Sequence, residues 1–208
     1  MATPKAGQAR LAIQSKSLKI HPLTPDRWED FKELFGTSGA YGGCWCMWWR
    51  IKRSEFERNH SDGNKRAIRK IIRSGNVPGI LAYQGSRPIA WCSVAPREDY
   101  PSINRSHVLK PIDEKPVWSI PCFFVKKEYR GQGVVRALLE GAIRHVRSKR
   151  GKILEAYPTI PRAEKLPPVS SYMGIPSVFQ RAGFVECARP SKSRMIMRYY
   201  IKRGAKRM

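Results

Sequence analysis

Val117-Trp118-Ser119-Ile120-Pro121-Cys122-Phe123-Phe124-Val125, then Lys126-Lys127-Glu128-Tyr129, then Arg130-Gly131-Gln132-Gly133-Val134-Val135: this stretch decides the fold. The first nine residues are nearly all apolar, as in a strand covered on both faces. Pro121 has no N–H and removes one ladder hydrogen bond, so the strand must bulge or splay there. Gly131 and Gly133 let the backbone turn tightly and come close to a ligand, and free N–H groups at a helix start point at an anion. Arg130 adds a charged donor suited to phosphate. The third glycine of the dinucleotide fingerprint is absent, and no Gly-Lys-Ser/Thr follows, so neither a Rossmann loop nor a Walker loop is present. The pattern suits diphosphate binding rather than nucleotide hydrolysis, although a loop that merely turns from strand to helix can carry the same glycines.

Downstream, Val134, Val135, Leu138, Leu139, Ala142, Ile143 and Val146 recur at helical spacing and predict a helix to about Lys149. Lys152 to Ala156 reads as the next strand, and Pro158 to Pro168 as a proline-rich loop. Pro176 to Arg181 reads as a short helix stopped by Ala182-Gly183, with paired strands at Phe184 to Ala188 and Met195 to Ile201. Upstream, Leu18 to Leu23 predicts a strand, and Thr24-Pro25-Asp26 the start of a helix with Trp28, Phe31, Leu34 and Phe35 on one face. Ser61-Asp62 can cap a second helix striped by Ala67, Ile68, Ile71 and Ile72. Gly79 to Tyr83 and Ile89 to Ala95 form a predicted hairpin, and Pro96 to Pro116, with four prolines, reads as a long polar loop suited to a functional role. Residues 1–16 read as a flexible basic arm, 17–201 as one domain and 202–208 as a basic tail.

The chain has 208 residues, 41% of them hydrophobic, enough for one substantial core. Lys and Arg number 40 against 16 Asp and Glu, a formal net charge of +24 that favours anionic partners. No run approaches the ~20 apolar residues of a membrane span, and residues 1–20 hold no signal-peptide core, so a cytoplasmic protein without membrane contact is expected. The five scattered cysteines suggest reduced thiols rather than a disulfide framework. Cys44, Cys46 and His60 lack the further ligands of a zinc site, and no metal is expected.

Arg130, Gly133 and, imperfectly, Val135 resemble the Arg/Gln-x-x-Gly-x-Gly/Ala signature of the GNAT superfamily of acyl-CoA-dependent N-acetyltransferases. The order of elements from Ser17 to Ile201 is similar to that family, as is Phe179-Gln180-Arg181-Ala182-Gly183-Phe184. The run Gly42 to Arg50, with Gly-Gly-Cys-Trp-Cys at its start, resembles one poorly characterised branch of it. The resemblance implies an α/β (α+β) fold: a mixed, mostly antiparallel sheet of about seven strands with a central splayed parallel pair, flanked by about four helices.

It further implies transfer of an acetyl group from acetyl-CoA, as co-substrate, to a primary amine by direct attack in a ternary complex. The cofactor would contact Phe124 and Val125 on the strand edge and Arg130, Gly131, Gln132, Gly133, Val134 and Val135 at the turn, with Phe179 nearby. A Val135 side chain directed into the core would leave the N–H contact intact. The Val125 N–H is the expected oxyanion donor, and Glu155, an acid in an apolar strand, is the candidate base; it can equally pair with an arginine. Phe179 stands where many members carry a tyrosine that protonates the leaving thiolate, which leaves Tyr172, Tyr157 or water for that step. Trp45, Trp48, Glu98 and Tyr157 are candidate acceptor contacts, with Cys44 and Trp49 beside the tryptophans; the aromatic rings can equally cover the sheet. Cys122 reads as a packing residue. Two other readings stand beside the enzyme. One is a nucleic-acid or ribosome-associated protein using basic clusters at Arg66–Arg73, Arg144–Lys152 and Lys202–Arg207, and the other is a GNAT-like protein that binds acyl-CoA without turnover. Monomer and homodimer are both compatible with the sequence.

Overall fold

The structure, a computed structural model, describes residues 18–161 and 172–202. The predicted basic arm at 1–16, most of the C-terminal tail and residues 162–168 of the proline-rich loop lie outside the described residues.

Seven strands form one sheet in the order β1-β2-β3-β4-β5-β7-β6. They are β1 (Leu18–Pro22), β2 (Gly79–Gln84), β3 (Arg87–Pro96), β4 (Trp118–Val125), β5 (Ile153–Ala156), β6 (Val185–Ser191) and β7 (Arg194–Tyr200). Only β4 and β5 run parallel; every other neighbouring pair is antiparallel. The helices are α1 (Trp28–Phe35), α2 (Arg53–Arg73), α3 (Pro101–Asn104), α4 (Val134–Ser148) and α5 (Pro176–Arg181). This is the mixed, mostly antiparallel sheet that the sequence implied, with one more helix than expected: α3, a single turn inside the stretch read as loop.

Pro121 acts on both sides of β4. Toward β3, Ser93 pairs with Cys122 but Ala95 with Ser119, so two β4 residues stand opposite Val94 in a bulge. Toward β5, pairing covers only Trp118, Ile120 and the residue between them, and stops at Ile120↔Ala156. The sheet therefore forks beyond Ile120.

Three packed regions fix the fork. On one face α4 buries Leu138, Leu139, Ala142 and Val146, with Phe179 and Phe184 joining that core. Gly141 lets the helix sit on β1: a Cβ there would stand 2.5 Å from Ile20 Cγ2. On the other face Trp28, Phe31 and Phe35 of α1 and Ile68 and Ile72 of α2 cover Leu81 and Trp91. A third cluster joins Tyr100, Ile103, Tyr157 and Met173.

α2 is two helical segments across a kink at His60, whose φ of 48° interrupts the helical backbone; the second segment starts at Ser61, where Ser61-Asp62 predicts a helix start, and the segment from Arg53 to the kink has no counterpart in the sequence reading. The Ser61 hydroxyl accepts the Trp45 indole N–H at 3.1 Å.

Candidate active site

The fork opens on a cavity of about 800 Å³. Its floor is β4, where Cys122 to Val125 face the opening that β5 leaves. Strand alternation sends the N–H of Lys126 to Ile89 O on β3, and that of Phe123 to the opposite side, where it meets Tyr172 O at 2.7 Å. Val125 is two residues beyond Phe123, so its N–H faces the same side. At one end of the cavity stand Arg130, Gly131 and Val135. Gly131 and Gly133 hold φ of 74° and 77°, a region that L side chains rarely adopt, and Gly133 is the residue before α4. Neither has an atom within 4 Å of where a Cβ would stand, so the approach to the helix start is open. The α4 first turn carries no acid to compete for its N–H groups. Arg130 is oriented by its own strand, its Nε donating to Val125 O at 3.0 Å.

At the other end the segment between α1 and α2 supplies Trp48 and Trp49, with Phe56, Tyr100 and Tyr172 completing an aromatic wall. Trp48 is stacked by the Arg53 guanidinium, 4.2 Å from its ring centroid. Among the described residues that line the cavity there is no carboxylate and no imidazole.

Phe124, Val125, Arg130, Gly131, Val135, Tyr172 and Trp48 are thus brought together around one cavity. Gln132 turns back, its Nε2 donating to Glu128 O at 2.7 Å. Val134 is the residue buried under the turn, and Val135 borders the cavity as well as touching the core. Phe179 is fully buried against Phe123 and Phe184 and does not border the cavity. Trp45 likewise belongs to the core, stacked between Trp28 and Phe35. Glu98 is exposed on a 3₁₀ turn outside the cavity lining.

Glu155 and Tyr157 sit in a different place: a buried polar network behind the fork. Glu155 Oε1 receives Arg97 Nη1 at 2.6 Å and the Tyr157 hydroxyl at 2.9 Å, and Oε2 receives Arg198 Nε at 2.8 Å. Arg198 continues to Asp113, and the Tyr157 hydroxyl meets Ser119 Oγ at 2.7 Å. The carboxylate is 1% exposed and does not border the cavity. Two guanidiniums hold it, the arrangement of the ion-pair alternative.

Burial holds the Tyr157 phenol well above its ordinary value, with the Glu155 charge adding and Arg97 and Ser119 opposing. Burial does the same for Tyr100, against Arg50 and Ser93, with Cys46 and Cys92 adding slightly. Above pH ~10 the unfolded chain ionises these phenols while the native state keeps their protons, so the unfolded state binds fewer protons and stability falls. Each phenol is expected to cost about 1.4 kcal/mol per pH unit above ~10, readable as a falling urea midpoint between pH 9 and roughly 11. Tyr100→Phe should flatten part of that fall.

Beyond a discounted metal role for Cys46, nothing in the sequence singled out Cys46, Ser93, Arg50 and Tyr100, which lie together near the aromatic end. Arg50, 6% exposed, donates from Nη2 to Pro78 O at 2.8 Å and Tyr100 Oη at 2.9 Å. Cys46 Sγ accepts the Trp91 indole N–H at 3.1 Å. The only trace in the sequence is the glycine-dense run before Cys44, which permits the crowded turns that bring Cys46 under β3 and β4.

A forked sheet whose exposed central edge leads to a glycine turn and a helix start defines the class, an acyl-transfer fold. Residues 45–164 match the family described as the Acetyltransferase (GNAT) family, and the chain belongs to that family. Solved structures share the fold at low identity. An N-acetyltransferase from Staphylococcus aureus Mu50 is 10% identical with a TM-score of 0.52 over 89% of this chain and 99% of its own. A GNAT-family protein from Desulfovibrio desulfuricans is 15% identical with a TM-score of 0.51, again over 89% and 99%. The PaiA N-acetyltransferase of Thermoplasma acidophilum, solved with coenzyme A, is 16% identical with a TM-score of 0.50 over 88% and 99%. No curated protein matches the chain. Among the described residues no helix is long and apolar enough to cross a membrane, and no cluster of three His, Cys, Asp or Glu side chains is placed to hold a metal.

Proposed function

We infer that the protein transfers an acetyl group from acetyl-CoA to a primary amine on a small molecule or a protein. The observation that carries this is the β4 edge that β5 leaves beyond Ile120, bridged at Phe123 by Tyr172 and open past it, on a cavity that reaches Gly131 in the turn before α4. In this reading the diphosphate rests on the N–H groups at the start of α4 beside Arg130. The pantetheine amides extend the sheet along Phe124 and Val125, as an added strand does. The Val125 N–H faces the thioester carbonyl and stabilises charge on its oxygen. Tyr172 borders the same space, and burial raises its phenol to about 12, so it donates a hydrogen bond to the departing thiolate rather than a full proton at neutral pH.

The acceptor enters past Trp48, Trp49 and Phe56, whose faces suit an amine carrying an alkyl or aryl group. With no carboxylate on the described wall, the amine is received neutral or through ring faces. Calorimetry with coenzyme A and thiol release from acetyl-CoA across a panel of amines test this together. Saturable binding with release that depends on an amine is expected; no heat at millimolar coenzyme A would overturn the reading.

A second reading rests on charge: Arg66, Arg69, Lys70 and Arg73 are exposed along α2, and Arg144, Arg147, Lys149 and Arg150 along and after α4. RNA binding that falls steeply with salt, with no effect of coenzyme A on melting temperature, would favour it instead.

A further inference from the structure

The acceptor end of the cavity is a corner of rings whose attraction for cations is already taken up. Trp48 stands edge-on to two neighbours, 87° from Trp49 and 86° from Phe56, with ring centroids 6.5 and 5.1 Å away. A flat guest in such a corner stacks on one ring and meets the edge of another. The Arg53 guanidinium covers one face of Trp48, 4.2 Å from its centroid, and that of Arg50 lies 4.3 Å over the Tyr100 ring. A ring attracts a cation through the negative face of its quadrupole, and here the chain supplies the cations itself. The carboxylates beside them are committed as well: Glu57 accepts the Arg53 Nε–H at 2.6 Å, and Asp99 lies 4.0 Å from Arg50. Neither borders the cavity, and among the described residues that do, the one Asp, Glu, His, Lys or Arg is Arg130.

We propose that the acceptor is an aromatic amine, one whose nitrogen is bonded to the ring. This deepens the acetyl-CoA reading above and rests on it for the donor. An alkylamine, like a lysine side chain, titrates at about 10.4, so only about 1 molecule in 2,500 is neutral at neutral pH. Its ammonium would meet a wall whose neighbouring charges are positive and whose rings already hold guanidiniums, with no carboxylate to pair with it or to take its proton. The lone pair of an aromatic amine is delocalised into its ring, which makes it a far weaker base. It therefore reaches the thioester neutral and reactive, with no proton to lose first, and its ring fills the Trp48 corner.

The transfer then needs no protein base. The amine nitrogen adds to the acetyl carbonyl carbon, and the charge that forms on the oxygen meets the Val125 N–H. The adduct nitrogen carries a positive charge, and when it is bonded to an aromatic ring its N–H is acidic enough to give the proton to water. The carbonyl re-forms, the carbon–sulfur bond breaks, and the coenzyme A thiolate takes a proton from solvent. Nothing is oxidised or reduced.

Two isomers test this: para-toluidine and benzylamine hold the same atoms and differ in whether the nitrogen sits on the ring. With acetyl-CoA at neutral pH, we expect kcat/KM for para-toluidine to exceed that for benzylamine by at least roughly tenfold. Benzylamine should gain on para-toluidine by about tenfold per pH unit as its neutral form accumulates. Trp48→Ala should raise the KM for para-toluidine about tenfold while the variant still binds coenzyme A by calorimetry, and Trp48→Phe should restore most of the loss. A preference for benzylamine at neutral pH, or a benzylamine rate that ignores its neutral fraction, would overturn the aromatic amine and leave acetyl transfer standing. If coenzyme A gave no heat but para-toluidine still quenched the tryptophan fluorescence of the wild type and not of Trp48→Ala, the acceptor corner would be supported and the donor would fail. Neither turnover nor quenching with para-toluidine would overturn the acceptor.

Discussion

Alanine in place of Glu155 is expected to destabilise the protein by about 3–5 kcal/mol, a large share of the roughly 5–15 kcal/mol that keeps a domain folded. The reason is what remains. Arg198 keeps Asp113 at 2.7 Å, but Arg97, 7% exposed, is left with only neutral partners, Asn104, the Tyr157 hydroxyl and the Leu109 carbonyl, around a full charge. Arg97 also anchors the segment that carries Tyr100, so the acceptor end of the cavity should loosen with it and the acceptor KM should rise. Urea unfolding reads the first effect and steady-state kinetics the second. Asp113→Asn is the contrast, since this carboxylate is partly exposed and Arg198 keeps Glu155, so the loss should stay small. A Glu155→Ala loss that small would mean that the network contributes little.

Valine at Gly133 is expected to lower affinity for coenzyme A and acetyl-CoA by at least about 100-fold, a change of ~2.7 kcal/mol. The backbone there has φ of 77°, and no atom lies within 4 Å of the position a Cβ would occupy, so the new side chain would project into the space before the first N–H groups of α4. The strained conformation adds about 1–2 kcal/mol of destabilisation. Calorimetry at a temperature where the variant is folded measures the affinity. S-acetylpantetheine, which has no diphosphate, should be turned over by wild type and variant alike. If the variant kept full affinity for coenzyme A, the diphosphate would not rest at this turn.

Much of the framework was legible because it rests on local chemistry. Apolar periodicity and the glycines marked α4 and its open start, and α5 falls on the predicted Pro176–Arg181. Pro121 announced both the bulge and the fork, since a missing N–H is a property of the residue itself. The second segment of α2 was legible from the cap composition of Ser61-Asp62, whereas the segment before the His60 kink, with Phe56 its one apolar residue, was not.

Functional side chains followed a different rule. Glu155 stood out as an acid in an apolar strand, but what its carboxylate meets depends on Arg97 and Arg198, 58 and 43 residues away in the chain. Cys46 accepts the indole N–H of Trp91, 45 residues away, and Phe123 meets the Tyr172 carbonyl, so no window of sequence contains the cavity. The sequence by itself determined the order of elements, the forked strand and the anion-ready helix start, because each follows from backbone geometry that a few adjacent residues impose. Only the tertiary structure decided which carboxylate is committed to arginines and which rings line the cavity, because ion pairing and burial are set by neighbours that folding brings together.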